Sequence, residues 1–135
     1  MKDSIDLVWE KGLIDDLYDP QYVRKDACGA WILREHYGSR ESFFGWEIDH
    51  IYPKTKLAEM SVPEEEIDNI LNLRPLNWRN NEAKGDNYPI YQAAVIAEGD
   101  RNILHEEDKE INESVQKQLQ TLYSSYLENK CDGKL

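Results

Sequence analysis

Between Gly45 and Asp86 the chain changes periodicity three times, and each change is punctuated. Trp46 to Ile51 alternates apolar and polar residues, the pattern of a short strand with Trp46 and Ile48 on one face. Pro53 ends it, and residues 54–71 form a long connection. Within that connection Pro63-Glu64-Glu65-Glu66 can open one helical turn, with Pro at the first position and acids at the positive end of the dipole. Leu71 to Leu76 is a second short strand. Pro75 has no N–H to give to a ladder, so it marks an edge or a strand end. Asn77 then caps a helix over Trp78–Lys84, and Gly85 sits at the C′ position. The window reads as strand, loop, strand, helix, and it makes this an α+β protein.

At 135 residues the chain suits a single domain over 1–135, too short for two cores and a linker. Its 4 Trp, 8 Tyr and 2 Phe can fill a core, so wholesale disorder is excluded as an expectation. No repeat or low-complexity segment is visible. Upstream, Ile5, Val8, Trp9, Leu13 and Leu17 fall near helical spacing and predict a helix over Ser4–Tyr18, with Ser4 as N-cap and Asp19-Pro20 as stop. Residues 21–45, punctuated by Gly29, Gly38 and Gly45, predict irregular structure or short strands. Downstream, the apolar run Ile90–Ile96, a turn at Glu98-Gly99-Asp100 and Asn102-Ile103-Leu104 predict an extra hairpin. Ile111, Val115, Leu119, Leu122 and Tyr126 step by 4, 4, 3 and 4, predicting a C-terminal amphipathic helix over about 107–128.

No apolar run approaches the roughly 18 residues of a membrane span, and the first residues carry no secretory segment. Only Cys28 and Cys131 are present, which excludes a disulfide scaffold and fits a reducing, cytoplasmic compartment. The balance is strongly acidic: 16 Lys+Arg against 27 Asp+Glu, a net charge of −11. The excess is spread along the chain, with 5 basic and 8 acidic groups over 1–39, 6 and 10 over 40–86, and 5 and 9 over 87–135. It therefore reads as a solubilising surface, and it lowers non-specific affinity for phosphate unless basic groups cluster.

Three short motifs share the punctuated window: Asp49-His50 at a strand end before Pro53, Asn72-Leu73-Arg74-Pro75-Leu76 on the return strand, and Asn81-Glu82-Ala83-Lys84-Gly85-Asp86 across the helix. Together they resemble the HNH nuclease family of the ββα-metal type. The likeness covers a motif core at 45–86 closely, with the spacing of 9 between Asn72 and Asn81 found in RNA-guided nucleases that carry this domain. The lead-in from about Asp26 to Gly45 resembles stand-alone bacterial and phage members without zinc-binding cysteines. The resemblance implies a ββα-metal motif hydrolysing DNA, double-stranded for preference, with one Mg²⁺ or Mn²⁺ ion.

The chemistry asks for these residue types. Phosphodiester hydrolysis needs an activated water, neutralised charge on the phosphate and help for the leaving 3′ oxygen. A neutral histidine is available as base near pH 7, and the resemblance gives that role to His50. A hard cation takes oxygen ligands and keeps waters, so one carboxylate and one amide suffice. By resemblance these are Asp49 and Asn81. Asn72 is then not a ligand but a residue bonded within the long loop that holds His50 in place. Lys84 shares a helical face with Asn81 and is a candidate for substrate phosphate, with Arg74; Arg79, Lys54 and Lys56 are weaker candidates. One geometric objection stands: neighbouring side chains on a regular strand point to opposite faces, so Asp49 and His50 reach one phosphate only if the strand ends and twists there.

Taken singly, each of these residues has a blander reading: a turn asparagine, a helix-surface amide, a solvated lysine. Trp46, Trp78, Leu73, Leu76, Trp9 and Trp31 read as core. His36 and His105 read as structural or exposed. The paired Cys-x-x-Cys motifs of zinc-binding relatives are missing, and a site from Cys28, His36, His105 and Cys131 is not favoured, so no structural zinc is expected. The competing reading is a catalytically inactive module of the same fold that binds protein or nucleic acid, its acidic surface imitating DNA. A protein partner or a homodimer is compatible with either.

Overall fold

The computed structural model describes residues 3–127. It is a mixture of short helices and three two-stranded antiparallel sheets, an α+β architecture. In chain order come α1 (Ser4–Trp9), β1 (Val23–Lys25), β2 (Trp31–Leu33), β3 (Trp46–His50), α2 (Lys54–Glu59), α3 (Glu64–Ile67), β4 (Leu73–Asn77), α4 (Trp78–Lys84), β5 (Ile90–Glu98), β6 (Arg101–Glu110) and α5 (Glu113–Leu122). The central unit is the β3–β4 hairpin followed by α4, with Trp46 opposite Asn77, Asp49 opposite Arg74 and His50 opposite Leu73. Asn77 caps α4 by accepting from the Arg79 N–H, and Gly85 closes it at φ 53°, a left-handed conformation suited to glycine.

The elements outside this window differ from the sequence expectation in instructive ways. The N-terminal helix stops at Trp9, and Asp3 rather than Ser4 caps it. Leu13 instead pairs with Lys25 through two backbone hydrogen bonds, and the Arg24 guanidinium takes the Glu10 and Gly12 carbonyls at the helix end. Leu17, expected on a buried stripe, is 84% exposed. Residues 107–110, expected to begin the last helix, extend β6, and α5 starts after the Asn112 cap. Pairing with the long β5 outcompeted the helix there. The apolar stripe nevertheless packs as expected: Ile111 and Leu119 are buried, and Val115, Leu122 and Tyr126 lie against the same cluster. The end of the expected helix and Cys131 lie outside the described residues.

Two apolar clusters flank the central hairpin. Val8, Trp9, Ile32, Trp46 and Leu73 form one, with the Trp9 and Trp46 ring centroids 5.3 Å apart. The larger joins Ile51, Leu57, Val62 and Ile67 of the long connection to Leu76, Tyr91, Leu119 and Tyr123. Trp46, Trp9, Trp31, Leu73 and Leu76 are core, as their type suggests. Trp78 is only half-buried, its ring between the Arg79 and Arg40 guanidiniums at 4.6 and 5.6 Å. His36 bonds Ser42, and His105 is exposed beside Glu107.

A polar knot, not apolar packing alone, locks the central unit to its surroundings. Asp26 is fully buried and accepts from the N–H groups of Cys28, Ala30 and Asn77 and from Asn80 Nδ2, all within 3.0 Å. The β5–β6 register slips between Ala93 and Val95. There Asn80 Oδ1 accepts the N–H groups of Ala94 and Val95, which fastens α4 to β5. Asn77 and Asn102 both bond the Phe43 carbonyl, so the lead-in to β3 is tied from two sides. Four buried side chains thus satisfy backbone groups that four short elements cannot pair among themselves.

Candidate active site

Asp49, His50 and Asn81 line one open cleft of about 240 Å³, together with Ile48, Pro53, Lys54, Gly85 and Asp86. It sits where β3 ends against the face of α4. Since β3 terminates at His50, the two neighbouring side chains reach the same cleft by different routes. The Asp49 carboxylate turns inward, and the His50 ring turns toward the long connection, where Nε2 lies 2.7 Å from Asp68 Oδ1. A carboxylate at Asp68 accepts from Nε2, so in the neutral ring this contact favours the tautomer with the lone pair on Nδ1.

Asp49 is 4% exposed and sits between two cations. Arg74 Nε donates to Oδ2 at 2.8 Å, and Lys84 Nζ lies 3.2 Å from Oδ1. Lys84 also donates to the His50 carbonyl at 3.1 Å, so one ammonium spans the Asp49 side chain and the His50 backbone. Burial pulls the Lys84 ammonium below the usual lysine range, and Asp49 resists that shift. For Arg74 burial also pulls down, but the Asp49 carboxylate outweighs it and the net shift is upward. Both cations were expected to meet substrate phosphate. Lys84 is instead 0% exposed and the Arg74 side chain 11%, and both are spent on Asp49. Helical spacing put Lys84 beside Asn81 correctly, but it could not say which way that face points. Among the weaker candidates, Lys54 is exposed beside Glu64, and Arg79 stacks on Trp78 and Phe43.

Asn81 Nδ2 donates to Glu47 Oε1 at 3.0 Å, which orients the amide and leaves its Oδ1 as the remaining acceptor. Arg40 clamps Glu47 in turn, Nε to Oε2 at 2.8 Å and Nη2 to Oε1 at 3.0 Å. Burial raises the Glu47 carboxyl, but the Arg40 and Asn81 hydrogen bonds outweigh it and the net shift is downward. Asn72 is fully buried and bonds within the long connection: Oδ1 accepts the Tyr52 N–H at 2.7 Å, and Nδ2 donates to the Tyr52 and Ile67 carbonyls at 3.1 Å. It thereby clips the segment just after His50 to the segment just before Asp68.

Glu47 and Asp68 are the residues that reading the sequence passed over. Glu47 was legible, since it stands two positions before Asp49 and shares its face of the strand. Asp68 was not, because only the path of the long connection brings it to His50, 18 positions away. Among the described residues no group of three His, Cys, Asp or Glu side chains gathers to hold a metal. The oxygen donors lining the cleft include the Asp49 and Asp86 carboxylates and the Asn81 amide. No helix of the described residues is long and apolar enough to cross a membrane. Comparisons with family models, with curated proteins and with solved structures give no match.

Proposed function

We propose that the protein is a divalent-metal-dependent endonuclease of the ββα-metal type that hydrolyses DNA phosphodiester bonds. The observation that carries this reading is the convergence of Asp49, His50 and Asn81 on one open cleft at the junction of a hairpin and a helix. The donor set fits a small hard cation, which prefers carboxylate and amide oxygens and keeps several waters. Asn81 has its nitrogen committed to Glu47, so its oxygen is the atom left for a cation, and each Asp49 oxygen retains lone-pair capacity beyond its one cationic neighbour. A Mg²⁺ or Mn²⁺ ion held by Asp49 and Asn81 supplies charge stabilisation at the phosphate and at the leaving 3′ oxygen.

The chain's own groups do the rest. His50 Nδ1 takes one proton of the water that attacks phosphorus, the P–O3′ bond breaks, and the departing 3′ alkoxide takes a proton from solvent, giving 5′ phosphate and 3′ hydroxyl ends. Asp68 fixes the ring and its tautomer and stabilises the imidazolium that forms. Asn72 keeps the two segments that carry His50 and Asp68 in register. Lys84 and Arg74 hold Asp49 in place, and exposed Lys54 at the rim is left to meet backbone phosphate. With a net charge of −11, DNA affinity rests on few phosphate contacts and falls only shallowly with salt.

The test is supercoiled plasmid incubated with purified protein and Mg²⁺ or Mn²⁺, with EDTA and His50→Ala controls. Metal-dependent nicking that His50→Ala loses is the expected result. Folded protein that nicks with neither metal overturns the reading in favour of a binding module, and nicking that survives in His50→Ala overturns the assignment of the base.

A further inference from the structure

A second and larger cleft, of about 580 Å³, lies where the N-terminal region, β4, β5 and the start of α5 meet. That volume falls within the range of small-molecule sites, roughly 300–1,000 Å³. In a chain of net charge −11 its lining is unusual: Lys11, Arg74 and Lys109 face it, and Glu110 is the one carboxylate. Lys11 donates to the neutral carbonyls of Ile70 and Leu73. Arg74 Nη2 is closed off from solvent and is the one buried side-chain nitrogen or oxygen without a hydrogen-bond partner among the described residues. A buried guanidinium N–H left unpaired costs more than one left in water, and an anion in this cleft is the kind of group that relieves it. The remaining walls are aliphatic, with Leu13, Ile51, Leu71, Ile111 and Val115.

We propose that this cleft binds a small amphiphilic anion, a carboxylate or phosphate head on an apolar body, with the head at Lys11 and Arg74 and the body against the aliphatic walls. Nucleic acid fits it poorly. Single strands ask for stacking faces, and the cleft's Tyr91 ring already carries Arg74 at 5.2 Å. The inference shares only Arg74 with the nuclease reading, through Nη2 rather than the Nε that meets Asp49, and it uses neither His50 nor Asn81.

The experiment is a titration of the full chain, in EDTA, followed by methyl NMR. The probes are octanoate and octyl phosphate, with octanol as the uncharged body and a short DNA duplex as the macromolecular alternative. At least one of the two anions is expected to shift the Leu13, Ile51 and Val115 methyls saturably, and which head binds more tightly separates carboxylate from phosphate. Octanol is expected to bind about tenfold more weakly, the worth of one or two charge-assisted hydrogen bonds. Val115→Trp, which fills the cleft, abolishes the shifts. Lys11→Met weakens them, and Lys109→Ala, at the other lysine of the cleft, does so should Lys11→Met not fold. Failure of both anions to saturate, octanol binding as tightly as they do, shifts that survive Val115→Trp in folded protein, or shifts from the duplex alone each overturn the proposal.

Discussion

Asp26 and Asp49 are both buried, and the protein satisfies them in opposite ways. Asp26 lies among neutral N–H donors: three backbone amides and the Asn80 side chain, with no cation bonded to it. Burial raises its carboxyl above the usual range, and those hydrogen bonds only resist the shift. Asp49 lies between two cations, Arg74 and Lys84, at the edge of an open cleft. Hydrogen bonds from rigid backbone fix a position and little else, so Asp26 is a fastener. Two cationic neighbours at the edge of a cleft instead place the Asp49 carboxylate where a bound cation can reach it. The difference between a structural and a reactive carboxylate thus lies in the partners and not in the depth of burial.

That contrast can be broken or sharpened by substitution. Asp49→Asn removes the charge but not the shape, leaving two buried cations uncompensated. Urea denaturation is expected to show a loss of about 3–5 kcal/mol, on the order of 2 kcal/mol of which Lys84→Met restores in the double variant. Asp26→Ala is expected to cost about 3–4 kcal/mol by the same measurement, through stranded N–H donors, and Lys84→Met restores none of it. Recovery in both backgrounds, or in neither, erases the distinction drawn between them. Under the nuclease reading His50→Ala keeps the fold and lowers plasmid nicking by about 10²–10⁴-fold. Asp68→Asn lowers it by about tenfold, because a neutral amide no longer stabilises the imidazolium formed in the step.

The smallest effect is a pH slope. Burial, aided by Arg74, lowers the Lys11 ammonium from 10.5 to about 8. The folded protein therefore sheds this proton before the unfolded chain does. Between pH 8 and 10.5 the unfolded state binds more protons, so stability rises with pH through that window. Lys11→Met is expected to flatten the rise in urea midpoints measured between pH 7.5 and 10.5. An unchanged slope removes Lys11 as its source.

The window Gly45–Asp86 was legible because its signals are local. Asn77 caps and Gly85 terminates the helix that Trp78 and Lys84 bound, and β3 stops at His50, one residue before the predicted Ile51. The long connection gave up its Pro63 turn but not its two further pieces, α2 and the 3₁₀ turn at Ile70–Asn72, whose patterns are too short for periodicity to speak. The N-terminal helix was over-read because Leu13 and Leu17 lie at helical spacing, while the Lys25 strand supplies Leu13 with backbone partners that a helix would have to refuse. The candidate site divides along the same line. Asp49, His50, Asn72 and Asn81 were named from the resemblance their motifs carry, and Asp68 was invisible.

By itself the sequence determined what depends on neighbours along the chain: the hairpin-and-helix window, its caps, the aromatic core, and a set of side chains with the right chemistry. Only the tertiary structure decided orientation. It turned Lys84 and Arg74 inward onto Asp49, brought Asp68 to His50 across 18 positions, made Asp26 the centre of a buried knot and left Arg74 Nη2 facing no partner among the described residues. The physical reason is that spacing fixes which face a residue shares, whereas the choice between burying and exposing that face is a balance of desolvation against partners drawn from distant segments.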